Sequence, residues 1–206
     1  MYKAGGSTVS PYKIFKDNGN KLVRLRLWHN PVWTKTVYGA SGTQLYNDLA
    51  DVEKSIKLSK EQGMSVLLDL HYSDSWADPG KQEIPAAWKD LKDINVLKDS
   101  VYNYTFKVVS YLKAKGLMPE MVQIGNETNC GMLWSNALAG FPTCNVCNGD
   151  WQRMGAVVNS GIDAVRDVAA TSTIKSKVIL HVADPKNVEW WFDNMTDPLK
   201  GNVTDF

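Results

Sequence analysis

The chain is short of the residues from which nucleotide, metal and redox sites are usually built. It has no Gly-x-Gly-x-x-Gly and no Walker-type Gly-Lys-Ser/Thr segment, so the common phosphate-cradling loops are excluded. Histidine and cysteine number 3 each, and no His-x-His occurs. Cys144 and Cys147 form a lone Cys-x-x-Cys, with no second Cys or His pair to complete a four-ligand zinc site. With Cys130 as the third thiol, a loop disulfide and free cysteines both stay open, and the redox compartment is not fixed. No apolar run is long enough to span a bilayer, and the stretch from Met1 to Thr8 carries no secretion signal. Charge of one sign is also missing. Lys and Arg total 23 against 22 Asp and Glu, so no net field favours nucleic acid, an anionic membrane or a polyanion. A neutral partner is expected.

What is present fits one globular domain. The 206 residues are 44% hydrophobic and 22% charged, enough for a sizeable core. Eight Trp and eight Tyr supply flat faces that suit sugar rings, although cores use them too. Runs rich in Val, Ile and Leu at Lys21 to Trp28, Ser65 to Tyr72, Met121 to Thr128 and Lys177 to Asp184 read as strands. Between them lie helical stripes. Leu45, Leu49, Val52 and Ile56 end at Gly63, and Val101, Tyr104, Val108, Tyr111 and Leu112 end at Gly116. Trp151, Met154, Val158, Ile162 and Val165 follow the possible caps Asn148 and Asp150, and a shorter stripe runs from Pro185 to Met195. Alternating strand and helix gives a parallel sheet. The missing nucleotide loops favour a closed (β/α)8 TIM barrel, α/β in class, over an open doubly wound sheet.

In such a barrel, chemistry sits where strands exit. Gly125-Asn126-Glu127-Thr128 closes the third of the four runs, which places a carboxylate there. All three histidines, His29, His71 and His181, also fall at strand ends. Alternation puts Arg24, Arg26 and Trp28 on one face, and Asp69 with His71 on one face of the next strand. Two arginines inside a barrel need carboxylate partners or a bound polar group, and Asp69 is the partner within reach. Strict alternation would set Asn126 and Glu127 on opposite faces, so the strand end must bend for both to meet one ligand. Asn126-Glu127-Thr128 also reads as a glycosylation sequon, but a residue deep in a cleft cannot carry a glycan. Two other classes fit the same strand-end residues: a metal-dependent barrel hydrolase and a non-catalytic carbohydrate-binding barrel.

Three long motifs carry a resemblance. They are Val23-Arg24-Leu25-Arg26-Leu27-Trp28 with Asn30-Pro31; Leu68-Asp69-Leu70-His71-Tyr72-Ser73-Asp74-Ser75-Trp76-Ala77-Asp78-Pro79 with Gln82, Pro85 and Trp88; and Met121-Val122-Gln123-Ile124-Gly125-Asn126-Glu127 with Gly131-Met132-Leu133-Trp134. In this order they resemble the glycoside hydrolase family 53 endo-β-1,4-galactanases. The resemblance implies a clan A (β/α)8 barrel, a retaining mechanism, and β-1,4-galactan, as in type I arabinogalactan, as the polysaccharide substrate. It makes Glu127 the general acid/base and Asn126 the holder of the 2-hydroxyl of the sugar being cleaved. Arg24 matches the arginine that supports the nucleophile's charge, with Arg26 as a second candidate. His71, Asp74, Trp76, Asp78 and Trp88 fall in the loop that lines the cleft, Trp76 and Trp88 being equally open to sugar stacking and to loop packing. No cofactor is implied, and a structural calcium of some members would lie outside this chain. A secreted or cell-envelope location and a monomeric complete enzyme are expected.

By the same register the chain holds barrel strands two to five as a single partial domain, with Asn202 to Phe206 at the start of strand six. The nucleophilic Glu of the family sits on strand seven. Glu53, Glu61, Glu83, Glu120 and Glu189 all fall at the wrong places to replace it. The segment on its own is therefore expected to be inactive and poorly soluble, with two unpaired sheet edges.

Overall fold

A computed structural model describes residues 2–38 and 45–206. A two-residue hairpin, β1 (Lys3–Ala4) with β2 (Ser7–Thr8), and a short helix α1 (Pro11–Asp17) precede the first long strand, β3 (Leu22–Leu27). Helices α2 (Trp33–Tyr38) and α3 (Leu49–Glu61) lead to β4 (Ser65–Leu70), and α4 (Ile94–Ala114) leads to β5 (Met121–Ile124). A small antiparallel ribbon, β6 (Gly131–Met132) with β7 (Cys144–Asn145), precedes α5 (Trp151–Ala170). Strand β8 (Lys177–Ile179) and helix α6 (Val188–Thr196) follow. The four long runs pair in parallel in the order β3-β4-β5-β8. The last two strands stop at Ile124 and Ile179, short of the expected Thr128 and Asp184, and residues 202–206 form no strand.

Capping explains the helix limits. The Asp48 side chain accepts the Asp51 amide at 2.9 Å, so α3 starts at Leu49 and leaves Leu45 outside the expected stripe. Asp93 does the same for α4 through the Asn95 amide at 2.7 Å, which lengthens that helix well upstream of Val101. Asp150 precedes α5 without capping it. Its carboxylate instead accepts from Thr143 Oγ1 at 2.9 Å and the Asn145 amide at 3.2 Å, and pairs with Arg153.

The register decides which barrel-like architecture the alternation means. Leu25 pairs with Leu68, Leu68 with Val122 and Val122 with Val178, so these side chains share one face, and Val66, Leu68, Leu70, Val122 and Ile124 on it are buried. Val52 and Ile56 of α3, Val101 and Val108 of α4, and Val158 and Val165 of α5 pack into the same core. The other face carries Arg24, Arg26, Asp69 and Gln123, while the buried helix residues among those described pack on the apolar face. A doubly wound sheet would be apolar on both faces; helices outside and polar residues inside make an arc of a barrel. No helix among the described residues is long and apolar enough to cross a membrane.

Candidate active site

The site grows from the exit of β5. Gly125 takes φ +81°, and a Cβ there would meet Thr128 Cγ2 at 2.8 Å, so this position accepts only glycine without rearrangement. Glu127 follows at φ +49°, a left-handed conformation that costs a non-glycine residue on the order of 1 kcal/mol. This is the bend that alternation demanded, and it is held from several sides. Gln82, 2% exposed, donates Nε2–H to the carbonyls of Asn126 at 2.9 Å and Asp78 at 3.0 Å, with Glu127 O at 3.3 Å. The Glu127 amide donates to His181 Nδ1 at 3.1 Å. Thr128 donates both its amide, at 2.9 Å, and its hydroxyl, at 3.0 Å, to the His181 carbonyl. Trp191 of α6 ties the end of the turn through Nε1–H to Thr128 O at 2.7 Å.

Polar side chains on the concave face form one network. Arg24 donates Nη2–H to Asn126 Oδ1 at 2.6 Å and Nε–H to Gln123 Oε1 at 3.0 Å, and Nη2 lies 2.9 Å from Asp69 Oδ2. Register sets Arg26 opposite Asp69, yet the ion pair runs diagonally to Arg24. Asp69 Oδ1 accepts from Gln123 Nε2 at 2.7 Å, and Oδ2 stands 3.0 Å from His71 Nε2. The amides of Ala77, at 3.1 Å, and the Trp28 indole, at 3.3 Å, both point at His71 Nδ1, so Nδ1 accepts and Nε2 carries the proton toward Asp69. The buried Asp69 carboxylate is thus fully engaged. Asn126 Nδ2 donates to Ala77 O at 2.7 Å, and its second N–H has no partner among the described residues. At 1% exposure the Asn126 side chain cannot serve as a glycan acceptor.

Glu127 is the exception in this network. Its carboxylate makes no hydrogen bond or ion pair among the described residues, although it faces His181 closely enough for their charges to interact. On the face shared with Arg24, Arg26 lies over the Trp76 ring at 4.7 Å and the Trp28 ring at 5.3 Å, and Trp76 remains 40% exposed. That stack presents an open indole on the same side as Arg24.

The structure does not bring every expected residue to this cluster. Asp74 accepts the amides of Asn30 at 2.9 Å and Ala86 at 2.8 Å, stapling two loops, and stands 3.5 Å from His29 Nδ1. Burial works against its ionisation, but these donors prevail and hold its carboxyl below the usual range. Asp78 caps its own turn through the Gly80 amide at 2.8 Å. Trp88 is buried, with its ring 5.0 Å from His29 and 6.1 Å from Tyr104; it forms the wall behind the cleft, the packing role left open for it. His29 lies in that wall as well, against Tyr104 at 4.6 Å. Gln82 and His181 hold the catalytic-type turn and were not expected to do so; only the strand-end position of His181 hinted at it.

Downstream, Cys130 and Cys147 form a disulfide that closes the loop carrying β6 and β7, while Cys144 is a buried free thiol. The Cys-x-x-Cys is therefore not a pair. Burial pushes the Cys144 thiol up to about 12, so it is inert at ordinary pH. Among the described residues, no group of three or more His, Cys, Asp or Glu could hold a metal ion.

Fold and site together place the chain in the (β/α)8-barrel class, with a carboxylate-bearing turn at a strand exit. It belongs to glycosyl hydrolase family 53, whose sequence model matches residues 1–206. It is 42% identical over 193 residues to an arabinogalactan endo-beta-1,4-galactanase of Cellvibrio japonicus, covering 93% of this chain and 47% of that protein. An endo-beta-1,4-galactanase of Bacillus subtilis is 32% identical over 209 residues, 100% of this chain and 43% of the relative. Among solved structures, the Ignisphaera aggregans GH53 catalytic domain superposes with a TM-score of 0.77 at 30% identity, over 97% of this chain and 51% of that one. The chain spans about half the length of the curated relatives it matches.

Proposed function

We propose that the protein carrying this chain is an endo-acting, retaining glycoside hydrolase that cleaves β-1,4-galactosidic bonds in galactan and type I arabinogalactan. The observation that carries the reading is the unpaired Glu127 carboxylate, held on a left-handed turn beside an Asn126 whose oxygen is polarised by Arg24. Galactanases at 42% and 32% identity support the substrate class. In this reading Glu127 gives its proton to the leaving glycosidic oxygen and then takes one from the attacking water. Asn126 offers its free N–H to the sugar 2-hydroxyl. Arg24 Nη1, which makes no bond among the described residues, would be the donor that supports a nucleophilic carboxylate.

That nucleophile is a second Glu, supplied by barrel strand seven and standing about 5 to 5.5 Å from Glu127, the separation of retaining enzymes. Trp76, seated on Arg26, offers a stacking face to a galactose ring. The disulfide suits a secreted or cell-envelope protein, and the balanced charge suits a neutral polysaccharide. The test is hydrolysis by the complete enzyme. Galactan should fall to short oligosaccharides whose new ends appear first in the β configuration, with arabinan, cellulose and mannan left intact. Faster release from mannan or cellulose, or α ends appearing first, overturns the proposal.

A further inference from the structure

His181 Nδ1 sits 3.1 Å from the Glu127 backbone nitrogen and 3.1 Å from Asn126 Oδ1. The first contact requires a lone pair on Nδ1 and the second a proton, and a single ring nitrogen supplies only one of them. Asn126 cannot relieve the conflict by turning its amide. Its Nδ2 is fixed on Ala77 O at 2.7 Å, and its Oδ1 already accepts from Arg24 at 2.6 Å. The Glu127 N–H, by contrast, has no other acceptor among the described residues. The lone pair therefore belongs on Nδ1 and the proton on Nε2. The ring is placed independently of its proton, because Thr128 holds the His181 backbone carbonyl twice.

We propose that His181 is a positioning residue: its unprotonated Nδ1 pins the left-handed turn that aims Glu127, and protonation of the ring releases that turn. Once protonated, Nδ1 no longer accepts the Glu127 amide and instead competes with Arg24 for Asn126 Oδ1. The titratable and charged groups facing the imidazole are Arg24 from β3, Asp69 from β4, His71 just beyond the end of β4, and Glu127 itself. Burial first, and the Arg24 charge second, hold His181 below the ordinary imidazole value of 6.5, against the opposing pull of Asp69 and Glu127. Release thus falls on the acid side of 6.5.

This inference deepens the acid/base reading of Glu127 and rests on it for its kinetic arm, so the test has two arms. In the first, nitrogen NMR of the full-length protein labelled at histidine reads the His181 tautomer, its signals assigned by their loss in His181→Leu or His181→Asn. The expected result above pH 7 is a protonated Nε2 and a bare Nδ1, whether or not galactan is cleaved. In the second, kcat/KM on galactan is followed against pH for the wild type and for His181→Asn, whose side-chain oxygen can accept the Glu127 amide without titrating. With the imidazole and the nucleophile both titrating, the wild type should lose about a hundredfold per pH unit on its acid limb and the variant about tenfold. A protonated Nδ1 above pH 7, or acid limbs of equal slope, overturns the proposal. If neither variant folds, the tautomer, assigned through coupling to the Glu127 amide, decides alone.

Discussion

Strand β5 has a glutamate at each end, and the two are treated in opposite ways. At the start, Glu120 is saturated: Oε1 lies 2.6 Å from Lys60 Nζ, Oε2 accepts the Val66 amide at 2.7 Å, and its backbone carbonyl accepts Lys177 N–H at 2.9 Å. At the exit, the Glu127 carboxylate has no partner among the described residues, while its backbone is held in a left-handed conformation at φ +49°. One carboxylate links α3, β4 and β5; the other is kept free by everything around it. The same residue type is thus bonded into the scaffold at one end of the strand and left unpaired, among the described residues, at the other, the end where barrels of this class carry chemistry.

That contrast can be broken by exchanging the charges one at a time. The largest effect is expected at the exit: Glu127→Gln in the complete enzyme should lower kcat on galactan by about 10² to 10⁴ and leave the thermal transition where it was. Gln82→Leu should come next. It strands the carbonyls of Asp78, Asn126 and Glu127, which costs about 1–3 kcal/mol in a urea titration, and kcat should fall while KM changes little. Glu120→Gln is expected to be the mildest. Its ion pair with Lys60 is partly exposed, at 18% and 31%, and the loss should be about 1 kcal/mol with kcat unmoved. A Glu120→Gln variant of full stability and little activity would erase the distinction between the two ends.

Much of this was legible in the sequence because it follows from periodicity. The shared face of Arg24 and Arg26, Asp69 as a partner for an arginine, and the need for a bend at Asn126-Glu127 came from alternation of period two, while the succession of strands came from the strand-helix alternation and the family register. What escaped depends on contacts between distant segments. Gln82 stands in the sequence motif without a role until folding sets its amide against the Asp78 carbonyl of its own loop and the Asn126 and Glu127 carbonyls of the β5 exit. The Cys144-x-x-Cys147 spacing points to a pair, but the bond goes to Cys130, because the β6–β7 ribbon brings that residue next to Cys147. Trp88 and Trp76 look alike in sequence; only packing against His29 and Tyr104 separates the wall residue from the exposed one.

The central claim is that Glu127 is the proton donor, and leaving-group dependence tests it most directly. Glu127→Gln should lose far more activity on galactan, whose leaving alcohol needs a proton, than on an activated aryl β-galactoside, whose leaving group does not. Equal losses on the two substrates, with the fold intact, would contradict the account.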